Sequence, residues 1–109
     1  MKIEHKEGLI WVEGLLPGTW TTYETKIDSL IGVCRQHLKL AYPAKGKISV
    51  QEIGELGIDH AAVSLVRLGK QRLPGTWLLR FHVWSGVPMS VLEAIAQFSC
   101  GTVPNRRRP

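Results

Sequence analysis

The segment Leu56-Gly57-Ile58-Asp59-His60-Ala61-Ala62-Val63-Ser64 constrains the fold of this chain more than any other. A glycine between two apolar residues can take the positive φ that other residues avoid, so it can end one helix and redirect the chain sharply. Asp59, two residues later, carries the short acceptor side chain that caps a helix start. Leu56 and Ile58 then anchor the turn in a core, while Ala62 and Val63 let two helices approach closely.

The flanking periodicity agrees with two short helices. The first spans about Val50 to Leu56 with Val50, Ile53 and Leu56 inward, and Gly57 is its left-handed stop residue. The second runs from the Asp59 cap to about Leu68, with Ala62, Val63 and Val66 inward. Upstream, from Tyr23, the apolar residues Ile27, Leu30, Ile31, Cys34 and Leu38 follow at helical spacing. Glu24, Lys26, Asp28, Arg35 and Lys39 take the opposite face, and Thr21 with Glu24 matches a capping box. Pro43 and Gly46 separate this helix from the next, leaving a linker from Leu40 to Ile48. Downstream, a helix from Thr76 to Ser85 places Trp77, Leu78, Phe81 and Trp84 on one side and ends at Gly86. A last helix begins at Pro88 and buries Met89, Leu92, Ile95 and Phe98.

Residues Lys2 to Leu16 alternate as an extended segment about a turn at Glu7-Gly8, which predicts a short β-hairpin. Leu16-Pro17-Gly18-Thr19-Trp20 recurs as Leu73-Pro74-Gly75-Thr76-Trp77. Five shared residues are too few for a duplicated domain, so we take this as a reused helix start: Pro and Gly turn the chain, Thr caps, and Trp covers the first turn. With 109 residues and 44% hydrophobic content the chain suits one compact domain. The expected layout is an extended segment over residues 1–20, a mainly α five-helix bundle over 21–100, and a basic tail over 101–109.

Two short helices joined by a tight glycine turn meet the geometric need of duplex-DNA readout, in which one helix braces across the backbone and the other enters the major groove. On the second helix the outward residues are His60, Ala61, Ser64, Leu65 and Arg67 or Leu68. Ala61 and Leu65 offer apolar contact, as to a thymine methyl; His60 and Ser64 offer hydrogen bonds; Arg67 suits guanine if it points into the groove. Lys70, Gln71 and Arg72 follow where the chain would pass phosphates.

Leu56-Gly57-Ile58, Ala62-Val63-Ser64 and Gly69-Lys70-Gln71-Arg72-Leu73-Pro74 together resemble the Cro/repressor (XRE-like) type of helix-turn-helix domain of phage and bacterial regulators. The resemblance spans about Tyr23 to Phe98 and includes the junction Ser85-Gly86-Val87-Pro88. It implies a lambda-repressor-like five-helix fold, with His60, Ala61, Ser64 and Leu65 at recognition-helix positions and Lys70, Gln71 and Arg72 near phosphates. The chain departs from that pattern in a shorter bracing helix, with Ile53-Gly54 where an apolar and a small residue are expected, in a longer linker, and in the extended N-terminal segment.

Charge agrees with a polyanionic partner: net +5 and a pI near 9.6. Three of those charges are Arg106, Arg107 and Arg108, so the rest of the chain is only weakly basic, and the tail reads equally as a phosphate or minor-groove arm and as a solvated terminus. Cys34 and Cys100 lack CxxC spacing, and the four histidines form no HxxxH or HxH pair, so neither a metal site nor a cofactor is expected. No nucleophile elbow, acid pair or phosphate-cradling loop points to an enzyme. The lack of a membrane-span pattern or signal-peptide pattern favours a cytoplasmic location. One short helix reads few base pairs, which favours a homodimer, and Trp11 beside Leu9 is the candidate subunit contact. The alternative is a small phage or mobile-element protein that uses the same scaffold to bind and modulate a host protein. The alternative gains if the N-terminal segment covers His60, Ser64, Arg67, Lys70 and Arg72.

Overall fold

The computed structural model describes residues 2–14, 17–38 and 48–98. It contains a three-stranded antiparallel sheet, β1 (Ile3–Lys6), β2 (Leu9–Glu13) and β3 (Trp20–Tyr23), followed by five helices. These are α1 (Lys26–Leu38), α2 (Val50–Leu56), α3 (His60–Arg67), α4 (Thr76–Ser85) and α5 (Met89–Ala96).

The expected hairpin is present, with Glu7 and Gly8 at φ 58° and 74° in the two-residue connection. Two successive positive φ values match the right-handed twist of the strands they join. Ile3 pairs with Val12 and Lys6 with Leu9. Along β2 burial alternates, so Ile10 and Val12 enter the core at 0% exposure while Trp11 stays half-buried on the other face. The Trp11 indole donates to the Lys6 carbonyl at 3.3 Å, and the Lys6 ammonium lies 4.7 Å from the ring centre.

The third strand corrects the expected start of the first helix. Thr21 does not cap a helix: it pairs with Val12 in β3, beside Trp11↔Thr22 and Ile10↔Tyr23. Trp-Thr-Thr-Tyr is rich in aromatic and β-branched side chains, which favour a pleated, half-buried strand. The helix begins instead at Lys26, where the Thr25 hydroxyl accepts from the Asp28 N–H at 3.2 Å. The two Pro-Gly-Thr-Trp sequences therefore lead into different structures, a strand after Gly18 and a helix after Gly75. Gly75 itself is the helix-start residue of α4, with no side-chain capping bond, so Thr76 does not cap.

α1 is the central helix and packs against the sheet, α3, α4 and α5. Its Ile27, Leu30, Ile31 and Cys34 meet Ile10, Val12, Phe81, Leu92 and Ile95 in one core. Burial pushes the Cys34 thiol up to about 12. Lys26 Nζ donates to the Ala96 carbonyl, which ties the start of α1 to the end of α5. The His5 ring stacks on Phe98 with ring centres 5.0 Å apart, closing β1 onto the segment beyond α5. At the α4–α5 junction Gly86 has φ 80°, with the His37 and His82 Nδ1 atoms each 2.7 Å from a carbonyl, of Ser85 and Val87. Among the described residues, no helix is long and apolar enough to cross a membrane.

Candidate nucleic-acid interface

The α2–α3 pair is built by local capping on both sides of its turn. Ser49 starts α2: its hydroxyl accepts from the Glu52 N–H at 3.1 Å, and the Glu52 carboxylate accepts from the Ser49 N–H at 2.8 Å. Gly57 stops α2 at φ 72°, its N–H donating to the Gly54 carbonyl at 3.2 Å while the Ile58 N–H donates to Ile53 at 3.4 Å. This pair of hydrogen bonds, with Ile53 and Ile58 both buried, is the Schellman ending. Asp59 then caps α3 by accepting from the Ala62 N–H at 2.9 Å.

α3 ends in the same way. Gly69, at φ 77°, donates to Val66 at 3.1 Å, and Lys70 donates to Leu65 at 2.9 Å. The chain that carries Lys70, Gln71 and Arg72 therefore leaves α3 in a fixed direction, and all three side chains are exposed.

On α3 only Val63 is fully buried, with Ala62 and Val66 half-buried beside it. His60, Ala61, Ser64 and Leu65 are exposed together on the outer face, with Leu65 at 41% and the following Leu68 at 63%. The N-terminal sheet packs on α1 and leaves this face open.

Arg67 departs from this arrangement. Its Nε and Nη2 both donate to Asp28 Oδ1 of α1, at 3.1 and 2.7 Å, so the guanidinium is committed to an interhelical ion pair beside the core. Asp28, expected on a solvent face, supplies the carboxylate that draws Arg67 from the outer surface.

α2 differs from its expected packing too. Val50 is 75% exposed and does not face inward; Ile53, Leu56 and the carboxylate side chain of Glu52 are what α2 buries. Glu52 is accepted in the interior because Arg35 of α1 reaches it, with Nε 2.8 Å and Nη2 2.6 Å from its two oxygens. Arg35 is thus buried and not on the solvent face. A carboxylate that both caps its own helix and holds a bidentate guanidinium fixes α2 against α1 with direction as well as distance.

Two contributors escape sequence reasoning. The Ser49-x-x-Glu52 pattern is a recognisable capping box that the apolar spacing of α2 conceals. Arg80 of α4 lies across the turn, with Nη1 2.8 Å from where a side-chain Cβ at Gly57 would stand, and no sequence spacing announces that proximity. Arg106, Arg107, Arg108 and Cys100 lie outside the described residues.

Three of the histidines have separate structural contacts, with Phe98, Ser85 and Val87, and His60 stands exposed on α3. Among the described residues no group of three or more His, Cys, Asp or Glu side chains could hold a metal ion. The site combines an open helix face that can hydrogen-bond and make apolar contact with cations at its exit. No family model, curated protein or solved structure matches the chain.

Proposed function

We propose that this protein is a sequence-specific duplex-DNA-binding transcriptional regulator of lambda-repressor-like architecture, with α3 lying in the major groove. One observation carries the reading. His60, Ala61, Ser64 and Leu65 form an uncovered face on a short helix held by a Schellman turn and an Asp cap, and Lys70, Gln71 and Arg72 emerge exposed at its end. His60 and Ser64 hydrogen-bond base edges, Ala61 and Leu65 meet thymine methyls, and Lys70 and Arg72 neutralise phosphates. Arg67 has no part in base reading, since Asp28 holds it.

The bracing role falls to α2, whose position relative to α1 the Arg35–Glu52 pair sets. The test is fluorescence anisotropy with duplexes enriched from a random library, at moderate salt. Preference for an enriched sequence over a scrambled one supports the proposal; absence of binding, or binding without preference, overturns it.

The exposure of Leu65 and Leu68 favours a second reading, in which the same scaffold binds and modulates another protein. Under that reading Leu65→Ala abolishes partner capture while DNA binding is absent at any salt concentration.

A further inference from the structure

The outer side of α4 carries Leu79 and Val83 one helical turn apart, 57% and 75% exposed. They border a groove of about 400 Å³ between α2 and α4 whose lining also includes Leu56, Trp84, Glu55 and Arg80. Two apolar side chains this exposed, set beside a groove, are open to contact with a partner. The patch shares no residue with the His60, Ala61, Ser64 and Leu65 face. Trp11, the subunit contact expected from sequence, lies on the N-terminal hairpin, where its indole donates to the Lys6 carbonyl and its ring carries the Lys6 ammonium.

We infer that this α2–α4 groove is the interface with a second copy of the same chain, related by a two-fold axis. The argument for a second copy is charge complementarity within one patch. Arg80 has no hydrogen bond or ion pair among the described residues. Glu55 lines the same groove and accepts from the Trp84 indole at 3.1 Å and the Gln51 amide at 3.4 Å, which leaves acceptor capacity on its carboxylate. A two-fold interface is self-complementary, so a surface that holds an apolar centre and one charge of each sign meets its own copy with both charges paired twice. Leu79 and Val83 of each copy then fill the groove of the other, while Arg80 of one faces Glu55 of the other at both edges. Seven residues line the groove, against the roughly 20 to 30 a side of a stable interface, so the dimer is weak alone and strengthens when both copies hold one DNA site. This inference supplies the partner surface for the proposed regulator, but its measurement needs no DNA.

The experiment is sedimentation velocity of the full chain from micromolar to millimolar concentration. The expected result is a concentration-dependent dimer that Val83→Lys weakens at least about tenfold. Arg80→Glu and Glu55→Arg each weaken self-association about fivefold or more, because each sets like charges against each other at both edges. An equal mixture of these two variants restores dimer as a heterodimer, since opposite charges then meet at both edges. All three substitutions are at exposed positions, and circular dichroism checks that each variant is folded. A chain that stays monomeric throughout, a dimer indifferent to Val83→Lys, or a mixture that shows no recovery each overturns the interface. A dimer that binds no DNA overturns only the regulator reading, and a monomer that binds a half-site overturns only the dimer.

Discussion

The Arg35 guanidinium meets the Glu52 carboxylate through two hydrogen bonds, 2.8 and 2.6 Å long, with the side chains only 5% and 4% exposed. A buried pair of this kind is costly to break from one side, because the remaining charge keeps its desolvation penalty without its partner. Glu52→Ala is therefore expected to destabilise the fold by about 3 to 5 kcal/mol in urea unfolding. Combining it with Arg35→Met recovers part of that stability. A double variant as unstable as the sum of the single ones would show that the two side chains act independently.

Gly32 lies in the middle of α1, where alanine ordinarily gains about 1 kcal/mol. Here a Cβ would collide with the Tyr23 hydroxyl and ring. Gly32→Ala should destabilise by about 2 kcal/mol despite the gain in helix propensity. Among the described residues no side chain or backbone group makes a well-formed hydrogen bond to the buried Tyr23 hydroxyl, so Tyr23→Phe should be close to neutral and should rescue part of the Gly32→Ala defect. Thermal melts of the three variants check both expectations.

Under the proposed function, the residues around α3 divide between stability and recognition. Arg67→Ala and Asp28→Asn should each cost about 1 kcal/mol of stability, the value of a partly exposed ion pair, and leave base preference unchanged. His60→Ala and Ser64→Ala should leave melting unaltered but reduce discrimination between sites by about 1 to 3 kcal/mol. Lys70→Ala or Arg72→Ala should flatten the salt dependence of binding by about one unit for each phosphate no longer neutralised. A shifted base preference in Arg67→Ala would return that residue to the reading face.

Alkaline pH should unfold this protein through its core. Burial raises the Cys34 thiol from 9.0 to about 12 and moves Tyr23 above 10.0. Between pH 9 and 12 the unfolded chain gives up the thiol proton while the folded chain keeps it. Stability is thus fully present below pH 9 and falls as pH rises through that window, by about 1.4 kcal/mol per unit from this group. Urea unfolding across an alkaline series should show the decline, and Cys34→Ala should flatten its first part.

Helix ends governed by backbone chemistry are legible in the sequence. Gly57 and Gly86 stop α2 and α4 in the left-handed conformation their positions suggest, and the Asp59 side chain caps α3 as its type and place imply. What escapes are choices made by tertiary partners. Trp20-Thr-Thr-Tyr23 is a strand because β2 offers an edge to pair with, whereas Thr21 and Glu24 taken alone match a capping box. Glu52 is buried and Val50 exposed, the reverse of their polarity, because Arg35 on α1 is there to receive a carboxylate. Exposure of His60, Ala61, Ser64 and Leu65 follows helical spacing, but spacing along one helix carries no knowledge of Asp28 on another, which is what removes Arg67 from the outer face. Arg80 over Gly57 is the same kind of approach and is invisible for the same reason.

The stacking of His5 on Phe98 bears on the order in which the molecule assembles. Joining β1 to the segment beyond α5 closes a loop that contains almost the whole described chain, and such distant pairings form late because the loop entropy must be overcome first. The turn around Gly57 needs only neighbours in sequence. Hydrogen exchange should therefore find the amides of β1 opening independently and early, while those within α1 and α4 open only with the entire molecule.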